Sequence, residues 1–454
     1  MIHLASDIIA AIATPPGRGG IGIVRISGPD LGSIVAGIVG RSLVPRAATS
    51  TAFRGASGDA LDEGIALFFP APASYTGENV LELQGHGGPA VLALVLQRCL
   101  DLGARLAEPG EFTKRAFLNG RIDLAQAEAV ADLISATTAA GVRAATRNLV
   151  GEFSREVESL LARLVELRMF IEATLDFPEE DVAFVQAADV AGKIQQLRQG
   201  LDSLLGRSRQ GRLLLEGLQV VLIGQPNVGK SSLLNQLVGE DRAIVTPIAG
   251  TTRDAIRGSI EIDGIPLHII DTAGLRESSD TVEQVGIART WAEIERADMA
   301  LVVTDAREPR HAEDAAIAAR LPSSLPRLVV RNKIDLAGVD SRRSDLDGAT
   351  AEIWLSAKTG IGVNLLRRAI LEAVGAVEHT HDAFLARERH LRALAATGES
   401  LALAAAHLSP PTAPALELCA EELRRAHDAL GEITGAHTAD DLLGEIFSRF
   451  CIGK

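Results

Sequence analysis

Residues 218–238, LQVVLIGQPNVGKSSLLNQLV, decide the reading of this chain. LQVVLI is a short apolar run of the kind that makes a buried strand, and SLLNQLV repeats its apolar residues at helical spacing. Between them lies GQPNVGKSS, 224–232. Strand, glycine-rich turn and helix in that order are the context a phosphate-binding loop requires. Gly224 and Gly229 let the backbone curl, so that its N–H groups and the helix N-terminus face a phosphate. Lys230 is expected to reach the β and γ phosphates and Ser231 to offer its hydroxyl to Mg²⁺, with Asn227, Val228 and Ser232 completing the cradle.

Outward from this loop, strands and helical segments alternate to about Val374. GSIEI (258–262) and PLHII (266–270) flank an Asp263-Gly264 turn, followed by MALVVTD (299–305), RLVVRN (327–332) and EIWLS (352–356). The pattern predicts a mostly parallel six-stranded sheet with one hairpin-connected antiparallel edge. On either side the texture is helical: Leu, Ala and Val recur at three- and four-residue intervals from Leu124 to Leu175, and again after FPEED (177–181) to about Leu215. The texture returns from about 381 to 450, broken by SPPTAP (409–414). The first ~120 residues carry short β-branched runs, IGIVRI (21–26), GIALFF (64–69) and NVLELQ (79–84), between turn clusters. The expected organisation is a multidomain α/β chain: an N-terminal α+β domain at 1–121, a helical domain in two pieces at 122–215 and 377–454, and an α/β domain at 216–376 inserted between them.

Length and composition agree with this division. A chain of 454 residues holds roughly two to four domains. With 47% hydrophobic and 23% charged residues, each can bury a core, which excludes disordered and collagen-like classes. A net charge of −14 gives no basic footprint for indiscriminate nucleic-acid binding, so any RNA contact is expected to be local or supplied by a partner. The three cysteines, Cys99, Cys419 and Cys451, are too few and too scattered for a disulfide framework or a CxxC zinc site. The N-terminus lacks a signal-peptide pattern, no apolar stretch reaches about 18 residues, and CIGK is not a prenylation box. The expectation is a soluble cytoplasmic protein without membrane association.

Three further motifs follow the phosphate loop: DTAG (Asp271, Thr272, Ala273, Gly274), NKID (Asn332, Lys333, Ile334, Asp335) and SAK (Ser356, Ala357, Lys358). Each ends a predicted strand, and the order resembles a Ras-like P-loop GTPase. The resemblance implies that Asp271 holds magnesium through water and that the Gly274 N–H senses the γ phosphate. Asp335 would accept both N–H groups of guanine, which adenine cannot offer, while Ser356 to Lys358 would close over the base.

Ras-like enzymes place a water-orienting glutamine directly after DxxG, and this chain has Leu275 there. The loop Thr246, Pro247, Ile248, Ala249, Gly250, Thr251, Thr252, together with Asn227, is similar to that of the potassium-dependent GTPases related to the tRNA modification GTPases. The likeness implies K⁺ ligands at Asn227, Thr246, Ile248 and Thr251, and Thr252 beside Ser231 on Mg²⁺. A cation there would offset charge building on the β–γ bridging oxygen. Glu283, in TVEQVG, matches the position of a catalytic glutamate that orients water through an intermediary. Read without the likeness, it is a carboxylate favoured near a helix N-terminus.

The ends of the chain carry a more specific likeness. ATPPGRGGIGIVRISGP (13–29), SYTGENVLELQGHGG (74–88), EPGEFTKRAFLNGRIDLAQAEAV (108–130) and FCIGK (450–454) closely resemble the bacterial MnmE/TrmE family of tRNA modification GTPases, over essentially the whole chain. Ribosome-assembly GTPases and simple switch modules that dock on ribosomes or membranes share the nucleotide motifs but not these ends. The resemblance implies a GTPase that works with the flavoprotein MnmG (GidA) as a heterotetramer. The pair adds an aminomethyl or carboxymethylaminomethyl group to C5 of the wobble uridine of certain tRNAs. It further implies a homodimer joined through its N-terminal domains, and a one-carbon unit from 5,10-methylenetetrahydrofolate or 5-formyltetrahydrofolate. Arg25, Glu82, Arg121 and Lys454 fall at its folate-contacting positions, Arg121 replacing a lysine common in relatives and so altering the donor geometry. Cys451 falls at its C-terminal catalytic position, although no histidine neighbour visible in sequence would activate the thiol.

Overall fold

The structure, a computed structural model, describes residues 7–176, 189–238, 256–271, 297–308, 321–322, 325–345, 350–375, 382–408, 415–435, 440–448, 450 and 453. The chain divides into two compact units, one of residues 1–131, 149–187 and 406–454, the other of 132–148 and 188–405.

The first unit is built on β1 (Ile9–Ile12), β2 (Gly19–Gly28), β3 (Thr49–Arg54), β4 (Ala60–Phe69), β5 (Asn79–Gly87) and β6 (Arg105–Leu106), in the order β3-β4-β5-β2-β1-β6. All neighbours are antiparallel except β1 and β6. Alternation fixes its faces: Val24 and Ile26 of β2 point into a core with Leu81 and Leu83 of β5, so Arg25 and Glu82 share the opposite face. Helix α1 (Pro89–Asp101) covers the core face with Leu92, Val95 and Cys99. Helices α2 (Glu111–Leu118) and α3 (Leu124–Ser135) follow, and α4 (Ala139–Leu149) lies mainly in the other unit. The long α5 (Glu152–Asp176) packs along α10 (Leu416–Thr434). The final helix, α11 (Asp440–Ser448), sets Ile446 and Phe447 against Leu124, Ala127 and Phe450.

The chain's end then returns to the N-terminal sheet. At Gly453, φ is +97° and an added Cβ would lie 2.3 Å from the Ile12 carbonyl oxygen, so both the conformation and the approach require glycine.

The second unit follows from α6 (Val190–Glu216), which leads into β7 (Leu218–Ile223), α7 (Lys230–Val238), β8 (Ile256–Ile262), β9 (Ile265–Asp271), β10 (Met299–Asp305), β11 (Arg327–Asn332), β12 (Arg342–Asp345), β13 (Thr350–Trp354), α8 (Val363–Ala373) and α9 (Glu388–His407). The sheet order is β12-β13-β11-β10-β7-β9-β8, parallel through its five inner strands and antiparallel at both edges. All seven residues of β10 are buried, as a central strand covered on both faces demands. The six strands legible in the sequence are present, and β12, RRSD, is a seventh. It carries no apolar alternation because its side chains are mostly solvent-facing at an edge. Ala140 and Ala144 of α4 and Leu214 of α6 complete this unit's core. Among the described residues no helix is long and apolar enough to cross a membrane.

Candidate functional site

The parallel strands β7, β9, β10, β11 and β13 present their C-terminal ends along one edge, where open α/β sheets bind ligands. Asn332, the last residue of β11, organises that edge. It is 2% exposed, and its side-chain amide donates to the Val228 carbonyl at 2.7 Å. Its amide oxygen accepts the N–H groups of Lys333 and Ala357, each at 2.8 Å. One buried amide therefore ties together the phosphate loop, the NKID turn and the SAK turn, with its polar atoms satisfied. Gly229 faces it directly: φ is +98°, and a Cβ would stand 2.3 Å from the Asn332 Nδ2.

The phosphate loop is closed by its own lysine, whose ammonium donates to the carbonyls of Gly224 and Gln225. Asn227 at the crest has φ of +64° and is exposed, as are Ser231 and Ser232 at the start of α7. At the SAK turn, the Ser356 hydroxyl is fully buried and donates to Asp335 Oδ1 at 2.7 Å. That bond orients an exposed carboxylate with acceptor capacity to spare. Lys358 is exposed. The backbone of β9 brings Asp271 level with Leu222 of β7.

A second constellation lies in the first unit. Arg25 and Glu82 are register partners on β2 and β5, and the guanidinium meets the carboxylate at 2.9 and 3.0 Å. Tyr75 and Phe112 hold the Arg25 guanidinium 5.4 and 5.9 Å from their ring centres. Gln84 donates to Glu82 Oε2 at 3.2 Å, and Arg25 reaches the Gly453 carbonyl at 3.5 Å. Arg121 is exposed on the turn after α2, near Gly77 of the 74–88 segment. In the same unit Arg115, 5% exposed, bridges Glu78, Glu111 and Asp7 at 2.8 to 3.1 Å.

Sequence reading did not single out Asp305, Tyr75, Phe112, Glu78 or Arg115. The available signals were the i,i+4 spacing of Glu111 and Arg115 and the position of Asp305 at a strand's end. Cys99 and Cys419 are buried, which pushes their thiols up to about 12 and about 11 and leaves them inert. Thr246 to Thr252, Thr272, Ala273, Gly274, Glu283, Cys451 and Lys454 lie outside the described residues, as does the side chain of Asp271. Among the described residues no group of three or more His, Cys, Asp or Glu could hold a metal ion.

Two family descriptions match the chain: "GTP-binding protein TrmE N-terminus" over residues 8–121 and "MnmE helical domain" over 124–451. A protein named tRNA modification GTPase MnmE from Azoarcus sp. (strain BH72) is 59% identical over 449 residues, covering 99% of this chain and 98% of its own. The protein of that name from Dechloromonas aromatica (strain RCB) is 58% identical, covering 99% and 100%. Among solved structures, the FeoB G-domain from Methanococcus jannaschii is 27% identical and covers 35% of this chain and 97% of its own, with a TM-score of 0.25.

Proposed function

Because the chain belongs to the MnmE family of tRNA modification GTPases, enzymes that hydrolyse GTP, we propose a finer reading of its chemistry and its partners. GTP binds at the edge organised by Asn332. Lys230 turns from the loop carbonyls to the β and γ phosphates, while the loop N–H groups neutralise the equatorial oxygens and Asp335 selects guanine. The exposed Ser231 hydroxyl at the start of α7 fits a magnesium ligand, and the exposed Asn227 amide at the loop crest fits a potassium ligand. Mg²⁺ on Ser231 and Thr252, and K⁺ on Asn227, Thr246, Ile248 and Thr251, would supply positive charge at the transferring phosphoryl group. Glu283 orients the attacking water through an intermediary.

Hydrolysis serves a modification centred on the Arg25–Glu82 pair. A folate pterin is rich in N–H donors and suits the Glu82 carboxylate, and its glutamate tail suits Arg121 and Lys454. A tetrahydrofolate held by these residues would supply the one-carbon unit, with Cys451 assigned to the same chemistry. The flavoprotein MnmG acts with this chain in the addition to C5 of the tRNA wobble uridine, in a heterotetramer with a homodimer of this chain, in the cytoplasm. Residues 1–121 carry folate binding and dimerisation, 216–376 carry nucleotide binding, and 122–215 with 377–454 form the helical connection.

The observation supporting this reading is the return of the chain's end to the N-terminal sheet, where the Gly453 carbonyl meets Arg25 of the ion pair. A plain nucleotide switch has no use for that closure. The test is a titration with 5-formyltetrahydrofolate. Saturable binding that is lost in Glu82→Ala is expected; no saturable binding, or binding indifferent to the substitution, overturns the modification chemistry proposed for this domain.

A further inference from the structure

Asp305 closes β10 and its side chain is 4% exposed, yet it is an ionised carboxylate at the nucleotide edge. Oδ1 accepts the backbone N–H and the Nε–H of Arg307, both at 3.0 Å. Oδ2 accepts from Arg307 Nη2 at 2.8 Å and lies 2.9 Å from the Lys333 ammonium. The Arg307 guanidinium, and after it Lys333, hold the carboxyl well below the usual range despite its burial. Lys333 is constrained from both ends. Its backbone sits at φ +67° with its N–H on Asn332, and its ammonium sits on Asp305.

We propose that Asp305, braced by Arg307, is a positioning residue for guanine recognition. By anchoring the Lys333 ammonium, it fixes the lysine's four-carbon stem as an apolar ledge beside Asp335, against which the planar base lies. The proposal rests on reading Asn332 to Asp335 as the base-binding turn. Lys333 is ill placed to serve the phosphates, because its charge is already neutralised at Asp305 and Lys230 occupies the phosphate loop. A free lysine loses rotamer freedom when a ligand packs on it, whereas a tethered one has lost it beforehand. Preorganisation of this kind appears as affinity for the base and not for the phosphates.

The experiment measures binding of mant-GDP and its displacement by ribose 5-diphosphate, which has the phosphates but no base. Asp305→Asn is expected to weaken mant-GDP by about tenfold, the usual scale for a lost charge-assisted contact, and to leave ribose 5-diphosphate unchanged. Lys333→Met, which keeps the stem and removes the ammonium, should give the same loss, and the double variant should be no worse than either single. Unchanged mant-GDP affinity in either variant, equal loss for both ligands, or additive losses would overturn the clamp. If Asp305→Asn fails to unfold cooperatively, Lys333→Met decides alone. Asp335→Asn is the separate control: it should exchange preference from GDP to XDP, whose 2-oxo group accepts from an amide. Failure of that exchange sinks the base-binding reading itself, whatever Asp305 does.

Discussion

At Gly229 two independent constraints fall on one residue, a left-handed backbone and an amide 2.3 Å from where a side chain would begin. Gly229→Ala must therefore move Asn332, and with it the bonds to Val228, Lys333 and Ala357. Strain of about 1–3 kcal/mol at such a position predicts GDP binding weakened by roughly tenfold to a hundredfold, measured by isothermal titration. Unaltered affinity would show that the three loops can rearrange independently. The glycine itself was legible as part of a motif. Its reason was not, because Asn332 is 103 residues further along the chain (332 against 229) and only the fold brings them together. The same is true of Asp305: MALVVTD reads as an ordinary buried strand, and the charge at its end gains meaning only beside Lys333.

Among the elements, α2 is tied to the N-terminal sheet by charge as well as by Phe112, which packs against Ile9 and Ala11 of β1. Arg115 joins Glu78 on the loop before β5, Glu111 one turn earlier on α2, and Asp7 before β1. Arg115→Ala leaves Glu78 and Glu111 largely buried without this cation, and should destabilise the unit by about 3 kcal/mol in urea unfolding. A change below about 1 kcal/mol would mean the carboxylates find water instead. Burial alone would raise the Glu111 carboxyl, but Arg105, the Glu108 N–H and Arg115 outweigh it and hold it below its ordinary 4.5. A carboxyl lowered on folding stabilises fully above its unfolded value and loses that contribution as pH falls through the lower, folded value. Glu111→Gln should thus cost stability at pH 7 and progressively less below pH 4.5, reaching little difference once both forms are neutral; a cost independent of pH would contradict the ion-pair account. Element types were readable here from alternation and helical spacing. The charged edge strand β12 was not, since RRSD signals a strand only when β13 lies beside it.

On the scale of the whole molecule, the sequence ends explain more than the nucleotide motifs. The nucleotide motifs alone describe a GTPase, whereas the matches over residues 8–121 and 124–451 set the chain in the MnmE family, and the carbonyl of Gly453, which lies close to β1, reaches Arg25. Gly453→Ala should lower 5-formyltetrahydrofolate affinity while leaving GDP affinity unchanged, since the substitution forces the final turn away from Ile12; equal loss of both ligands, or of neither, would contradict a local role. Bond cleavage in this GTPase has to proceed without a glutamine after DTAG, where Leu275 stands. Initial rates of GTP turnover in equal concentrations of KCl and NaCl, for the protein and for Asn227→Ala, test the role of K⁺ most directly. Turnover is expected to be faster in K⁺ by about tenfold or more, with the advantage lost in the variant; equal rates in the two salts, or full K⁺ stimulation in Asn227→Ala, would rule out a cation held at Asn227.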